Sequence, residues 1–309
     1  MKRRIFAILA FLLLAALPVY SQIRNGVGPK MPNFAREPFF INPLVFYDID
    51  SLSPRLDLFL EVPRSNILFS KTKTGYSAEF DIFVTLYDAN DKTVFQKSYT
   101  ENFSFGEEAF KTEQKKSEFY LYNYFLSPGA YKLETVLNDR NSKKEHRRTD
   151  EIKVKNFTSA PVTLSDIMLV SEISSTGAGE KEITPLISNN VFGHRDFFLF
   201  FEVYNNLGSV LSGVFNYKIT DRSDNAIKEG SLNYTLADRK NSMFEKVSLD
   251  FMFGEMFSPE NIDPEEMAKK DFGVFKLTIT DKASSTVVAE KKIIMLPDGP
   301  MVPRRERRP

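Results

Sequence analysis

The sequence predicts an all-β protein made of two tandem antiparallel β-sandwich domains of the immunoglobulin-like or fibronectin-like kind. Three observations predict it. The aromatic supply is 29 Phe and 12 Tyr with no Trp, and chains rich in Phe, Tyr, Val and Ile suit pleated surfaces better than helices. Apolar residues alternate with polar ones in short runs separated by turn residues, at the spacing of a sandwich. A turn-and-strand stretch at 127–139 comes back at 271–281, as a module made twice would. With 309 residues and 42% hydrophobic content, the chain can fill two cores.

Residues 1–21 read as a secretory signal peptide. Lys2, Arg3 and Arg4 form the charged start, 5–17 is an unbroken apolar run, and Val19-Tyr20-Ser21 is a small-residue cleavage site before Gln22. That run holds 13 residues, whereas a spanning helix needs about 20, so cleavage and a periplasmic or extracellular destination are expected in place of a membrane anchor. No later segment is apolar for long enough to span, and no Cys follows the run to carry a lipid. The signal takes three of the 41 basic residues and no acid, so 38 bases face 41 acids in the mature chain. That near-neutral balance argues against a polyanionic partner such as nucleic acid. Zero Cys excludes disulfides, thiolate metal sites and a thiol nucleophile.

Residues 22–38, with Gly26, Gly28, Pro29, Pro32 and Pro38, suit an extended leader, and the first domain is expected over 39–156. Strand formers at 39–47 open it. Over 55–62 the alternation is clean: Leu56, Leu58, Leu60 and Val62 fall on one face, Arg55, Asp57 and Glu61 on the other, and Pro63 ends the run. Strands at 67–73 and 76–87 pair across Thr74-Gly75, and the polar turn 88–92 leads into 93–105. Residues 106–116 fit either a loop or one or two helical turns. Strand character resumes at 119–125 and 127–139, and 145–157 closes the domain beyond a charged turn at 140–144.

A linker at 156–161 precedes the second domain, expected over 162–297, with a basic tail at 298–309. Its strands are read at 164–170, 196–204, 213–220, 225–236, 244–253, 274–280 and 286–295, with a loop of Ser, Gly and charge at 174–181. The strand at 196–204 is apolar on both faces and so predicts cover on both. Only 263–270 looks helical, with Asp263 as cap, Pro264 at the first helical position and Glu266 completing a capping box.

Four anchors recur in the same order in both halves. Leu58–Val62 matches Leu199–Val203, Asp88–Lys92 matches Asp221–Asn225, Phe103–Glu107 matches Phe251–Glu255, and Gly129–Leu133 matches Gly273–Leu277. The repeat bears on two tempting features. Asp88 with Asp91, and Asp221 with Asp224, offer clustered oxygens of the kind calcium takes, but Asp and Asn are also the residues of hairpin turns, and a turn in both copies needs no metal. Tyr131, after Pro128-Gly129, resembles the tyrosine corner of immunoglobulin-like sandwiches, whose hydroxyl bonds back to nearby backbone, while Phe275 holds the matching place without a hydroxyl.

A catalytic set is not found. The two histidines, His146 in a hairpin tip and His194 in a turn, are too far apart to anchor a zinc site without Cys. No Gly-x-Ser-x-Gly elbow, phosphate-cradling glycine loop or dinucleotide fingerprint occurs. Tyr120, Tyr122 and Tyr124, spaced by two, share one strand face; they are the candidate ligand platform for a sugar or peptide, against the commoner packing of such a row inside a sandwich. The basic residues of 140–148 and 304–308 lack the aromatic interleaving of a nucleic-acid site and read as solvated. No metal, cofactor or catalytic residue is assigned.

The segments Arg55-Leu-Asp-Leu-Phe-Leu-Glu-Val-Pro63, 76–88, Leu126-Ser-Pro-Gly-Ala-Tyr-Lys-Leu-Glu134 with 139–142, and Leu164-Ser-Asp-Ile-Met-Leu169 resemble the N-terminal region of GWxTD domain-containing proteins. The resemblance implies an exported bacterial protein of a kind frequent in the Bacteroidetes. The chain has no Trp, so the name-giving motif has no counterpart and no functional residue carries over. The expectation is a non-catalytic binding or scaffold protein of the cell envelope whose partner is another envelope protein or a glycan, with a carbohydrate-binding module or an envelope hydrolase using paired carboxylates as alternatives.

Overall fold

The computed structural model describes residues 37–175, 181–192, 194, 196–248 and 273–295. The expected signal peptide, all but the last two residues of the leader, the helix at 263–270 and the basic tail lie outside the described residues.

The first half contains β1 (Phe40–Asp48), β2 (Ser53–Pro63), β3 (Ser70–Lys71), β4 (Gly75–Asp88), β5 (Thr93–Gly106), the helix α1 (Glu107–Glu113), β6 (Ser117–Phe125), β7 (Gly129–Asp139) and β8 (Lys144–Val154). One sheet runs β1-β2-β6; in the other, β5 and β7 flank β4, β8 follows β7, and β3 pairs with the first residues of β4. The second half contains β9 (Val162–Leu164), β10 (Met168–Ser175), β11 (Lys181–Pro185), β12 (Asp196–Asn205), β13 (Leu211–Thr220), β14 (Ala226–Leu236), β15 (Lys240–Ser248), β16 (Val274–Asp281) and β17 (Thr286–Ile294). Its sheets run β11-β10-β12-β15, with β9 also on β12, and β14-β13-β16-β17. Without the short accessory strands β3, β9 and β11 the two orders are the same, strand for strand. Both halves are antiparallel β-sandwiches of one topology.

Each sandwich has its own core. Leu56, Leu58, Leu60 and Val62 of β2 meet Phe80, Ile82, Val84 and Leu86 of β4, while Phe197, Leu199, Phe201 and Val203 of β12 meet Phe215, Tyr217 and Ile219 of β13. The open region at 106–116 resolves as α1. Glu107 and Glu108 stand in its first turn, where the positive end of the helix dipole favours them, and Lys111 lies in its last turn. The loop expected at 174–181 is instead flanked by a hairpin of β10 and β11, with Ile173 opposite Ile183 and Ser174 opposite Glu182. The backbone ladder forms there although the side chains carry almost no apolar alternation.

Three of the four repeat anchors fall at equivalent places: β2 with β12, the β4–β5 turn with the β13–β14 turn, and β7 with β16. The third, Phe103–Glu107 with 251–255, is left aside because 251–255 lie outside the described residues. The β16 start differs from that of β7: Gly273 is left-handed at φ 69°, whereas Gly129 is not.

The outward faces of the two β1-type sheets meet. Leu44 and Phe46 of β1 pack with Met168 and Val170 of β10, joined by Phe59 of β2 and Phe198 and Phe200 of β12. This explains the double-sided apolar pattern of 196–204, whose alternate residues fill the second core and the junction.

Candidate functional site

A cluster of bonded polar groups sits at that junction. On β12, Tyr204 is buried with its ring edge-on to Tyr47 and Phe157. The Tyr47 amide donates to its hydroxyl at 2.8 Å, and the hydroxyl donates to Glu202 Oε2 at 2.5 Å. Burial, then the Glu202 charge, push the Tyr204 phenol well above its ordinary range. Lys240 completes the group at 3.3 Å from Glu202. Nearby, Asp57 is buried on the outward face of β2, held by a two-pronged contact from Arg55 at 2.7 and 2.9 Å and by Asn123 at 2.6 Å.

Asp166 joins the halves through the backbone. Its carboxylate accepts the Val45 amide at 2.8 Å, its own amide donates to the Val45 carbonyl at 2.9 Å, and Lys155 lies 3.7 Å from it. Lys291 of β17 donates to Oδ1 of the buried Asn42 on β1 at 2.7 Å. Removal from water holds the Lys291 ammonium down at about 8, with the Asp166 charge pulling the other way. Burial likewise lowers Lys155 and raises Asp150.

Two hollows flank the junction. One, of about 400 Å³, is lined by Asn42, Arg148, Asp150, Asp166, Asn189 and Lys291 among others. The second, of about 320 Å³, is lined by Tyr47, Ile49, Leu52, Tyr204, Asn206 and Arg239 among others. The first can accept polar and charged groups of either sign; the second combines apolar walls with a guanidinium. The expected linker is itself pinned between them. Asn206 donates to the Phe157 and Ala160 carbonyls at 2.8 and 2.7 Å, and Lys155 donates to Leu164 at 2.8 Å.

The structure places Tyr120, Tyr122 and Tyr124 together on the inward face of β6, packed against the first core. Tyr122 stacks on Tyr99 with centroids 4.0 Å apart and Tyr124 on Phe95 at 4.2 Å, so the rings close the open side of the sandwich and do not form a platform. Burial raises all three phenols. The exposed residues of this strand are the intervening Phe119, Leu121, Asn123 and Phe125, the three apolar ones at 60, 49 and 57%. Period-two alternation located the two faces, and the tyrosine row takes the inward packing that is commoner for such rows.

The basic hairpin is charge-paired. Arg140 grips Asp81 at 2.8 Å and also pairs with Glu79, Arg147 pairs with Glu134 at 2.7 Å, and Arg148 donates to the Phe39 carbonyl at 3.4 Å. Its turn is shorter than expected, since β8 begins at Lys144, and His146 therefore lies on the strand opposite Leu137 and not at a tip. His194 lies in the loop before β12. Among the described residues no group of three or more His, Asp or Glu could hold a metal ion. The Asp turns match their expected role: Asp88 Oδ1 accepts the Asn90 and Lys92 amides at 2.8 and 3.0 Å, and Asp221 Oδ1 accepts those of Ser223 and Asn225 at 2.8 and 2.9 Å. Tyr131 donates to the Ser127 carbonyl at 2.9 Å, the corner bond anticipated for it. Among the described residues no helix is long and apolar enough to cross a membrane.

No family model matches the chain, and no curated protein matches it. Among solved structures it is similar to a glycosyl hydrolase family 2 member from Bacteroides cellulosilyticus, with 11% identity over 77% of this chain and 28% of that one, and TM-score 0.31. It is also similar to the exo-chitosanase CsxA of Amycolatopsis orientalis, with 12% identity over 84% of this chain and 26% of that one, and TM-score 0.21. A β-galacturonidase of glycosyl hydrolase family 2 from Eisenbergiella tayi gives 11% identity over 78% and 35%, with TM-score 0.25. The chain thus spans between about a quarter and a third of the length of each of these structures.

Proposed function

We propose that the protein is an exported, non-catalytic binding or scaffold module of a bacterial cell envelope, related to the N-terminal region of GWxTD domain-containing proteins. The junction carries this reading. Leu44, Phe46, Met168 and Val170 bury an apolar cluster between the sandwiches, and Tyr204, Asp166 and Lys291 each bond across it. Two sandwiches joined in that way present one fixed surface, as a spacer or binding module requires. At the junction Lys291 donates to the buried Asn42, a holding role, while Oδ2 of Asp150 in the same hollow is buried without a hydrogen-bond partner.

The test is capture of envelope components on the immobilised mature chain across a series of salt concentrations. Recovery of one partner that survives the series is expected, and recovery of nothing at any salt would overturn the reading. A glycan is the second candidate ligand. The support for it is the hollow where Tyr47 and Tyr204 adjoin Asn206 and Arg239, an apolar wall beside planar polar groups. A glycan array with no binder removes that reading, and a binder whose affinity is unchanged by Arg239→Ala moves it away from this hollow.

A further inference from the structure

We infer that β6 is a self-association edge, through which two copies of this chain pair antiparallel to make one continuous sheet. β6 ends its sheet; among the described residues it pairs only with β2, so its other edge offers free amides and carbonyls. The strand lacks the devices by which edges usually avoid pairing. Ser117–Phe125 contains no Lys, Arg or Pro, and its single acid, Glu118, is taken up by Arg64. Its counterpart in the second sandwich, β15, carries three charges, Lys240, Glu245 and Lys246, of which Lys240 pairs with Glu202 and Lys246 with Asp196. Two copies of one fold thus treat the same edge oppositely.

The sequence of β6 points to a second copy as the occupant. Phe119-Tyr-Leu-Tyr-Asn-Tyr-Phe125 reads nearly the same in both directions about Tyr122; only Leu121 and Asn123 break the symmetry. Antiparallel pairing centred on Tyr122 sets Phe119 opposite Phe125 of the second copy and Tyr120 opposite Tyr124 of the second copy, at both ends at once. Cross-strand aromatic pairs are the favoured contacts of such ladders. The outward face of this edge leaves Phe119, Leu121 and Phe125 exposed, with Asn123 among them, beside Phe59, which already packs into the junction cluster. Pairing would extend that buried face across the two-fold axis.

Sedimentation equilibrium on the full chain over a concentration series tests this. A reversible dimer is expected, and Leu121→Lys is expected to weaken it by about tenfold or more by placing a charge in the ladder. Because the chain has no Cys, introduced thiols report without background. A mixture of Phe119→Cys and Phe125→Cys chains is expected to form a disulfide-linked dimer under mild oxidation, while neither variant alone does, since like positions would lie about 20 Å apart. A chain that stays monomeric at its highest soluble concentration overturns the inference. So does equal cross-linking in all three samples, or a dimer unaffected by Leu121→Lys in a variant of unchanged melting temperature. Should that variant misfold, the thiol pair decides alone. Self-pairing does not depend on export or on an envelope partner, so its failure leaves the proposed function standing, and the reverse.

Discussion

Asp88 and Asp221 show how much one side chain can specify. Each caps its own hairpin with two backbone amides and places a following aspartate in the left-handed region, Asp91 at φ 58° and Asp224 at φ 60°. Asp88→Ala or Asp221→Ala is expected to cost about 1 kcal/mol per lost bond in urea unfolding, while added calcium leaves the melting temperature unchanged. Lys291 makes the opposite kind of contribution. Its folded value of about 8 lies below the ordinary 10.5, so between those values the unfolded chain binds more protons and stability rises with pH. Lys291→Met is expected to flatten that rise, as read from the difference between the two unfolding curves below pH 8 and near 10.5. The aspartate turns and the Tyr131 corner were legible in the sequence because donor and acceptor sit within four residues of each other. The Lys291–Asn42 bond spans 249 residues, and no local pattern announces it.

Strands carry the same lesson one step up. On the β13–β14 hairpin, Gly213 lies opposite Tyr234 and Gly230 opposite Tyr217, and each tyrosine ring covers the glycine across from it. A Cβ on Gly213 would meet the Tyr234 hydroxyl at 2.2 Å, so Gly213→Ala must displace a ring packed on Phe215 at 4.4 Å. It is expected to cost about 1–3 kcal/mol, measured by thermal melting, as overpacking does. Long alternating strands such as β2 and β12 were legible from periodicity, including the double-sided cover of β12. The short strands β9 and β11 were not, because β9 has only three residues and β11 carries one large apolar residue, Ile183, to mark a buried face.

At the scale of the whole molecule the apolar junction makes two sandwiches behave as one. The intact chain is expected to unfold in a single calorimetric transition. Leu44→Ala should remove about 2–5 kcal/mol from the junction and separate the halves into two transitions, since Leu44 is buried against Met168 and Val170. A single transition persisting in that variant would assign the coupling to the polar bonds of Tyr204 and Asp166 instead. The two faces that meet are equivalent ones: β1 and β10 hold the same place in the shared topology, as do β2 and β12. Contact between equivalent faces is the arrangement of a homodimer, made here within one chain. The two faces are not matched residue for residue, and need not be within one chain: at the offset that aligns Leu58 with Leu199, the buried Asp57 stands where the other copy has Phe198.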